Sequence, residues 1–300
     1  MVRRAPLPDL IDLHVHSSVS DGALSPREVV RLAGEVGLKA IALTDHDTVA
    51  GVAEALAASK EFGVEVIPGV EISTEIANGA CHVLGYFVDH INAPLGEILE
   101  AAREGRRIRN LKILERLNQI GFKLTMDEVA SRVKDGVLTR SHFAAALLEK
   151  GYARTWDEVF EKWLGHGKPA YVPRVRVTPP EAIRVIHGAG GLAVLAHPRQ
   201  LNRGVKETDA YISELAAAGL DGVETHSSDH TPNLGRHYKA TALRLGLVET
   251  GGTDWHGRQS ADTAPEGRHV NIHLGLGRGS MAIHYTLVEA MKARLAQQKR

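Results

Sequence analysis

The chain of 300 residues contains one cysteine, Cys81, which excludes an internal disulfide and fits a reducing compartment. No apolar run reaches the ~18 residues needed to span a bilayer. The opening stretch Met1 to Asp9 is short, charged and broken by Pro6 and Pro8, unlike a secretory leader. These absences predict a cytoplasmic protein that does not enter a membrane and shows no sign of an obligate protein partner. Net charge is lacking too: 36 basic residues balance 36 acidic ones, so no global field draws the chain to nucleic acid, although a local basic cluster is not excluded. Repeats and low-complexity segments are absent. The hydrophobic fraction of 43% and charged fraction of 24% are ordinary for a globular protein, and sixteen histidines are the one departure.

The histidines fall at strand ends. Leu10-Ile11-Asp12-Leu13 reads as a short buried strand running into His14-Val15-His16, whose two imidazoles share a face because strand side chains alternate. Asp21 follows after a polar loop. Two imidazoles and a carboxylate suit a divalent metal, although this stretch alone also fits a pair of surface histidines. Ser25-Pro26-Arg27-Glu28 opens a helix with a capping box and Pro at its first position. Ala40 to Thr44 is a second strand, delivering Asp45-His46-Asp47, and a helix from about Val49 to Phe62 ends at Gly63. Val64 to Ser73 is a third strand carrying Glu71, and His82 to Phe87 is a fourth. Strand and helix alternation resumes after Val172. Gly191 to Ala196 leads to His197-Pro198, Gly222 to Thr225 leads to His226, Asp229 and His230, and Val248 to Thr253 leads to Asp254-Trp255-His256. Helices are expected over Pro179 to Ala189, Asp209 to Ala218, Asn233 to Leu245 and Tyr285 to Gln298.

Alternation of this kind predicts an α/β fold with a parallel sheet that can close into a barrel, whose active site lies at the C-terminal strand ends. Between Pro94 and about Val172 the pattern is helical and charged instead, with Arg103, Arg106, Arg107, Arg109 and Lys112 crowded together. This predicts a barrel domain of residues 1–98 and 174–300 with an all-helical insertion at 99–173. Six histidines (His14, His16, His46, His82, His197, His256) and three carboxylates (Asp21, Glu71, Asp254) are too many donors for one ion. Two or three ions could use them if Glu71 bridges. Asp45 and Asp47 are expected to support His46 or to cap the next helix. Cys81 faces away from His82 and should pack in the core. Trp156 and Trp163 should belong to the insertion core, and Gly275 to Gly279 lacks the strand-to-helix setting of a phosphate loop.

The segments His14-Val15-His16, Thr44-Asp45-His46-Asp47, His197-Pro198 and Asp254-Trp255-His256 resemble the four signature motifs of the PHP (polymerase and histidinol phosphatase) superfamily. Ser20-Asp21-Gly22, Pro68 to Ser73, Thr139-Arg140-Ser141-His142 and Gly167 to Pro173 resemble one branch of it, which contains 3′,5′-nucleoside bisphosphate phosphatases and a bacterial 5′-3′ exoribonuclease of short RNAs. The resemblance runs from about residue 10 to about residue 260. It implies a distorted (β/α)7 barrel with a trinuclear site. His14, His16, Glu71 and Asp254 would hold one ion, Asp21, His46 and His256 a second, and Glu71, His82 and His197 a third. Manganese is the expected metal, with iron or zinc as alternatives. The resemblance further implies a metal-dependent phosphoesterase that removes the 3′-phosphate of nucleoside 3′,5′-bisphosphates. The alternatives are exonuclease action on short 5′-phosphorylated RNA and a phosphatase for AMP or histidinol phosphate. A non-catalytic metal-stabilised module is a reading of another class, disfavoured by the full ligand set. Asp21, His46, Asp254 and His256 would serve catalysis, and His230 or His226 would protonate the leaving group. Arg109, Asn110, Arg140, His142, Lys168 and His230 are the expected substrate contacts, since Arg offers a planar fork to phosphate.

Overall fold

The computed structural model describes residues 9–74, 76, 81–131, 138, 140–173, 177–257, 272–279 and 281–298. Seven strands lie side by side in chain order: β1 (Ile11–Val15), β2 (Ala40–Leu43), β3 (Glu65–Thr74), β4 (Cys81–Tyr86), β5 (Leu192–Leu195), β6 (Gly222–Ser227) and β7 (Val248–Gly252). The barrel is nearly closed. Val15 pairs with Trp255, the His16 amide donates to the Trp255 carbonyl at 2.9 Å, and the Trp255 amide donates to the His14 carbonyl at 3.3 Å. The expectation of a parallel sheet holds for β1 to β3 and for β5 to β7, but β4 runs antiparallel to both of its neighbours. The reason is the connection. Only residues 75–80 separate β3 from β4, and a parallel crossover needs about a dozen residues, so the chain turns back as a hairpin.

Local chemistry accounts for the helix boundaries. In α1 (Pro26–Glu35) the Ser25 hydroxyl accepts from the Glu28 amide while the Glu28 carboxylate accepts from the Ser25 amide at 2.9 Å. α2 spans Val52–Phe62 and stops at Gly63, whose φ of 68° is left-handed. It begins three residues later than the apolar pattern suggests. α7 (Pro179–Gly188), α8 (Val205–Ala217), α9 (Pro232–Leu245) and α10 (Thr286–Gln298) complete the barrel's helices. α8 starts ahead of Asp209 because the Gly204 amide is capped by Glu207. Three apolar clusters hold the barrel: one packs α7 and α8 on β3 to β6, a second packs α1 and α2 on β1 to β3, and a third sets Val288 and Met291 of α10 against Leu13, Leu84 and Val194. Cys81 is buried in the first, as its alternation predicts.

A fourth cluster lies in the segment between β4 and β5. It contains α3 (Ala93–Gln119), α4 (Met126–Ala130), α5 (Arg140–Glu149) and α6 (Trp156–Val159), the last continuing as a π-helical turn over Phe160–Leu164. Ile113, Leu117, Val129, Phe143, Leu147, Val159 and Leu164 form its core, with Trp156 and Trp163 packed against it. α3 straddles the expected boundary at residue 99. Its Leu95 and Leu99 pack in the barrel cluster, whereas Ile113 and Leu117 pack in the insertion. At ~1.5 Å per residue this helix is about 40 Å long. Among the described residues no helix is long and apolar enough to cross a membrane.

Candidate metal centre

The C-terminal ends of the parallel strands, together with the N-terminal end of the antiparallel β4 that carries His82, bring the predicted ligands together. Glu71 on β3 is fully buried at the middle. Its Oε2 lies 3.3 Å from His14 Nε2, 3.3 Å from His16 Nε2 and 3.0 Å from His46 Nδ1. Its Oε1 lies 2.8 Å from His82 Nδ1 and 2.9 Å from His197 Nε2. Asp254 Oδ1 is 3.3 Å from His14 Nε2 and 3.2 Å from His16 Nε2. Asp21 lies on the other side, with Oδ1 3.6 Å from His16 Nδ1 and 3.3 Å from His256 Nε2, and Oδ2 3.8 Å from His46 Nε2. The donors fall into three overlapping groups: His14, His16, Glu71 and Asp254; His16, Asp21, His46 and His256; and His46, Glu71 and His82. His16 therefore serves two groups through its two ring nitrogens, and His197 reaches the third group through Glu71.

Backbone strain is concentrated here. Asp47, His197 and Asp254 are three of the five non-glycine residues with positive φ among the described residues, at 53°, 22° and 57°. Such conformations persist where the surroundings over-determine them, as at ligand clamps.

The electrostatics fit a cation. Burial works to raise the Glu71 carboxyl, but the His46, His82 and His14 imidazoles outweigh it and hold it well below the usual range. Asp21 is likewise held low against burial by His256 and His46. Burial opposes charge on His14, yet Asp254, Glu71 and Glu224 hold it well above the ordinary value. His46, against the same burial, is pushed up to about 9 by Glu71 and Asp21, and His256 to about 9 by Asp21 and Asp254. His82 goes the other way, down to about 4, because burial and the nearby imidazoles prevail over Glu71. Protons on imidazole thus neutralise the carboxylates where a metal ion would. His14 Nε2, both ring nitrogens of His16, His46 Nδ1 and Glu71 Oε2 are buried with no hydrogen-bond partner. Native proteins seldom leave such atoms unmatched, and a mixed imidazole–carboxylate set suits manganese, iron or zinc. The residues present fit divalent metal ions.

A surrounding layer aims these ligands. His14 Nδ1 donates to Glu224 Oε1 at 3.0 Å, which turns Nε2 to the cluster, and the same carboxylate accepts the His197 amide at 2.6 Å. His256 Nδ1 donates to the Asp254 carbonyl at 2.8 Å, leaving Nε2 toward Asp21. Asp45 accepts from the Ser17 amide at 2.7 Å and from the Ser20 hydroxyl at 2.6 Å, pinning the loop that carries Asp21. Asp12 accepts the Thr253 amide and hydroxyl, at 2.9 and 2.6 Å, and the Gly275 amide at 2.9 Å. Burial pushes its carboxyl up to about 6 despite those bonds. The Gly275–Gly279 loop is therefore a tie to β1, closed on itself by the bond from the His273 amide to the Gly277 carbonyl at 2.7 Å. Sequence reasoning missed Glu224 and Asp12. The available signal for Asp12 was a carboxylate within the apolar run Leu10-Ile11-Asp12-Leu13, and Glu224 in the polar strand β6 gave none.

The remaining expected residues are placed as follows. Arg109 and Asn110 are buried on α3, one turn beyond Arg106, which itself reaches the residue after His46. The Asn110 amide donates to the Leu138 carbonyl at 2.7 Å, and its Oδ1 is buried without a hydrogen-bond partner. Arg140 donates to the Leu164 carbonyl at 3.2 Å and lies over the rings of Tyr171 and Phe160. His142 is half-buried on α5, Lys168 is exposed, and Thr139 lies outside the described residues. His230 Nδ1 donates to the Thr225 carbonyl at 3.2 Å, and burial lowers its pKa. His226 is engaged by the Thr225 hydroxyl at 2.9 Å.

The PHP domain model matches residues 12–165. A 5′-3′ exoribonuclease of Haemophilus influenzae is 36% identical over 245 residues, covering 82% of this chain and 89% of its own. A 3′,5′-nucleoside bisphosphate phosphatase of Chromobacterium violaceum is 36% identical over 255 residues, covering 82% and 87%. Among solved structures, a Bifidobacterium adolescentis protein provisionally assigned as a metal-dependent phosphoesterase aligns with a TM-score of 0.75 at 30% identity, over 97% of this chain and 98% of its own.

Proposed function

Because the chain belongs to the PHP family and is a hydrolase of phosphoric esters, we propose that it removes the 3′-phosphate of nucleoside 3′,5′-bisphosphates and leaves the nucleoside 5′-monophosphate. The observation that carries this reading is the convergence of five imidazoles and three carboxylates, the buried Glu71 among them, in three overlapping groups at one barrel mouth, with His197 joined to Glu71 beside them. The relative of matching activity supports the substrate class. Divalent ions held there would supply a water of lowered pKa and positive charge to neutralise phosphoryl oxygens.

His14, His16, Glu71 and Asp254 would hold one ion, Asp21, His46 and His256 a second, and Glu71, His82 and His197 a third. Glu224 orients His14 and the His197 backbone toward them. Arg109 and Asn110 share the α3 face that Arg106 turns toward the mouth, which makes them the leading partners of the second phosphate, with Arg140, His142 and Lys168 as further candidates. His230 is the proposed proton donor to the leaving oxygen. Its lowered pKa makes the charged imidazole a stronger acid while reducing its population at neutral pH.

Exonuclease action on short 5′-phosphorylated RNA is the second reading, supported by an equally similar relative. The basic segment of α3 lends it little. Arg103 pairs with Glu100, Arg106 with Asp47 and Arg107 with Glu104, so the charge of these three arginines is balanced within the chain. The test is product release by the Mn2+-loaded protein from adenosine 3′,5′-bisphosphate, AMP, histidinol phosphate and a 5′-phosphorylated oligoribonucleotide. The proposal expects the bisphosphate to have the highest kcat/KM. A higher value on the oligoribonucleotide favours the second reading, and no turnover of any of the four removes both.

A further inference from the structure

Arg106 is a buried cation on a helix that belongs to two domains. It lies on α3 between Leu99, packed on the barrel, and Ile113, packed in the insertion. Its Nη2 donates to the Asp47 carboxylate and to Ser73 Oγ at 3.1 Å. One turn earlier, Arg103 Nη1 donates to the Asp47 carbonyl at 2.9 Å. Asp47 in turn touches both ends of the ligand edge. Its Oδ1 accepts the Ser73 amide at 2.8 Å, and its own amide donates to the Glu71 carbonyl at 2.9 Å. It follows His46 directly, has a left-handed φ of 53°, and sits beside the short bridge that pairs His46 with Glu71.

We propose that Arg106 is a positioning residue that latches the helical insertion to the His46–Glu71 edge of the metal centre, so that ion affinity and insertion placement form one linked property. The proposal rests on reading the His and carboxylate cluster as a metal centre. Asp47 is fully buried, and a buried carboxylate that loses its cation relaxes toward water or a proton. A left-handed aspartate held from both sides cannot relax without moving the neighbouring His46. α3 is continuous over 27 residues, so a displacement of the insertion reaches Arg106 as a displacement of the same rigid rod. By linkage, ions that fix His46 also fix the insertion.

The test uses the full chain with Mn2+ as probe, read by equilibrium dialysis with metal analysis and by hydrogen exchange over residues 106–119. The variants are R106Q, R106K, D47N and the double variant, with R107A as control because Arg107 is exposed and, among the described residues, pairs along its own helix with Glu104. The expected result is a loss of about 10–100-fold in affinity for one ion in R106Q, with the double variant no weaker than the worse single variant. Mn2+ should slow exchange over 106–119 in the wild type and in R107A, and less in R106Q. R106K, which keeps the charge but shortens the reach and lacks the planar guanidinium fork, should fall between and decides the matter if R106Q does not fold. Wild-type affinity and wild-type protection in the folded Arg106 variants, or additive losses in the double variant, overturn the proposal. Absence of Mn2+ binding by the wild type instead overturns the metal-centre reading beneath it.

Discussion

Replacing Glu224 by Gln tests whether the layer behind the ligands matters as much as the ligands. Glu224 is fully buried, and its carboxylate receives two donors, His14 Nδ1 at 3.0 Å and the His197 amide at 2.6 Å. Gln has the same shape but one acceptor oxygen. Whichever donor that oxygen keeps, the other faces an NH2 group, and one charge-assisted bond becomes a clash of donors. Loss of a hydrogen bond to a charged group costs about 1.5–3 kcal/mol, and loss of a carboxylate behind a ligating imidazole weakens metal binding by about 10–100-fold, or about 1.4–2.7 kcal/mol. The two figures agree, so E224Q should bind its most weakly held Mn2+ about 10–100-fold less tightly. Activity should return as Mn2+ is raised. Equilibrium dialysis with metal analysis, alongside kcat against free Mn2+, measures both. A folded E224Q protein with wild-type Mn2+ affinity would refute the reasoning, because it would mean that His14 keeps its orientation without the carboxylate.

Asp254→Asn and His256→Ala should each abolish hydrolysis while circular dichroism and thermal melting show the fold retained; full activity in either purified variant sinks the metal-catalysis reading. His46 and His256 take up protons with pKa values of about 9 in the ion-free chain, and a ligating imidazole must be neutral. Mn2+ binding at pH 7.5 should therefore release protons into a weakly buffered solution, and apparent affinity should climb with pH and level off above about 9. The sign for the ion-free chain is opposite. The stabilisation from these raised pKa values is complete below the unfolded value near 6.5 and is lost as pH rises through about 9, which urea melts in chelator would show. Gly252→Ala would place Cβ 2.2 Å from His14 Cβ and 2.3 Å from its backbone nitrogen, so it should destabilise by about 1–3 kcal/mol or more. Gly96→Ala in α3 meets nothing within 4 Å and should stabilise by about 0.5–1 kcal/mol; urea midpoints that fail to separate the two would discredit the packing of β7 on β1.

Much of this molecule could be read from residue order because its causes are local. The cap of Ser25 with Glu28 acts within four residues, and α1 starts where it predicts. The candidate ligands were legible because strand periodicity sets His14 and His16 on one face and because a β/α barrel gathers the C-terminal ends of its parallel strands at one mouth. The direction of β4 was not legible from its apolar pattern, which is the same for either sense of pairing. Glu224 looked like an ordinary strand carboxylate until β6 was placed where it could reach His14, 210 positions earlier in the chain. Arg106 was one of several basic residues crowded in one helical segment, and it shares that helix with Arg107, which is exposed. Helix phase turns one of them out toward Glu104 and the other in toward Asp47, 59 residues away. Residue order determined which side chains could bind metal. The packing of the strands and of α3 decided which buried groups aim them, because that depends on neighbours that meet only when the barrel closes.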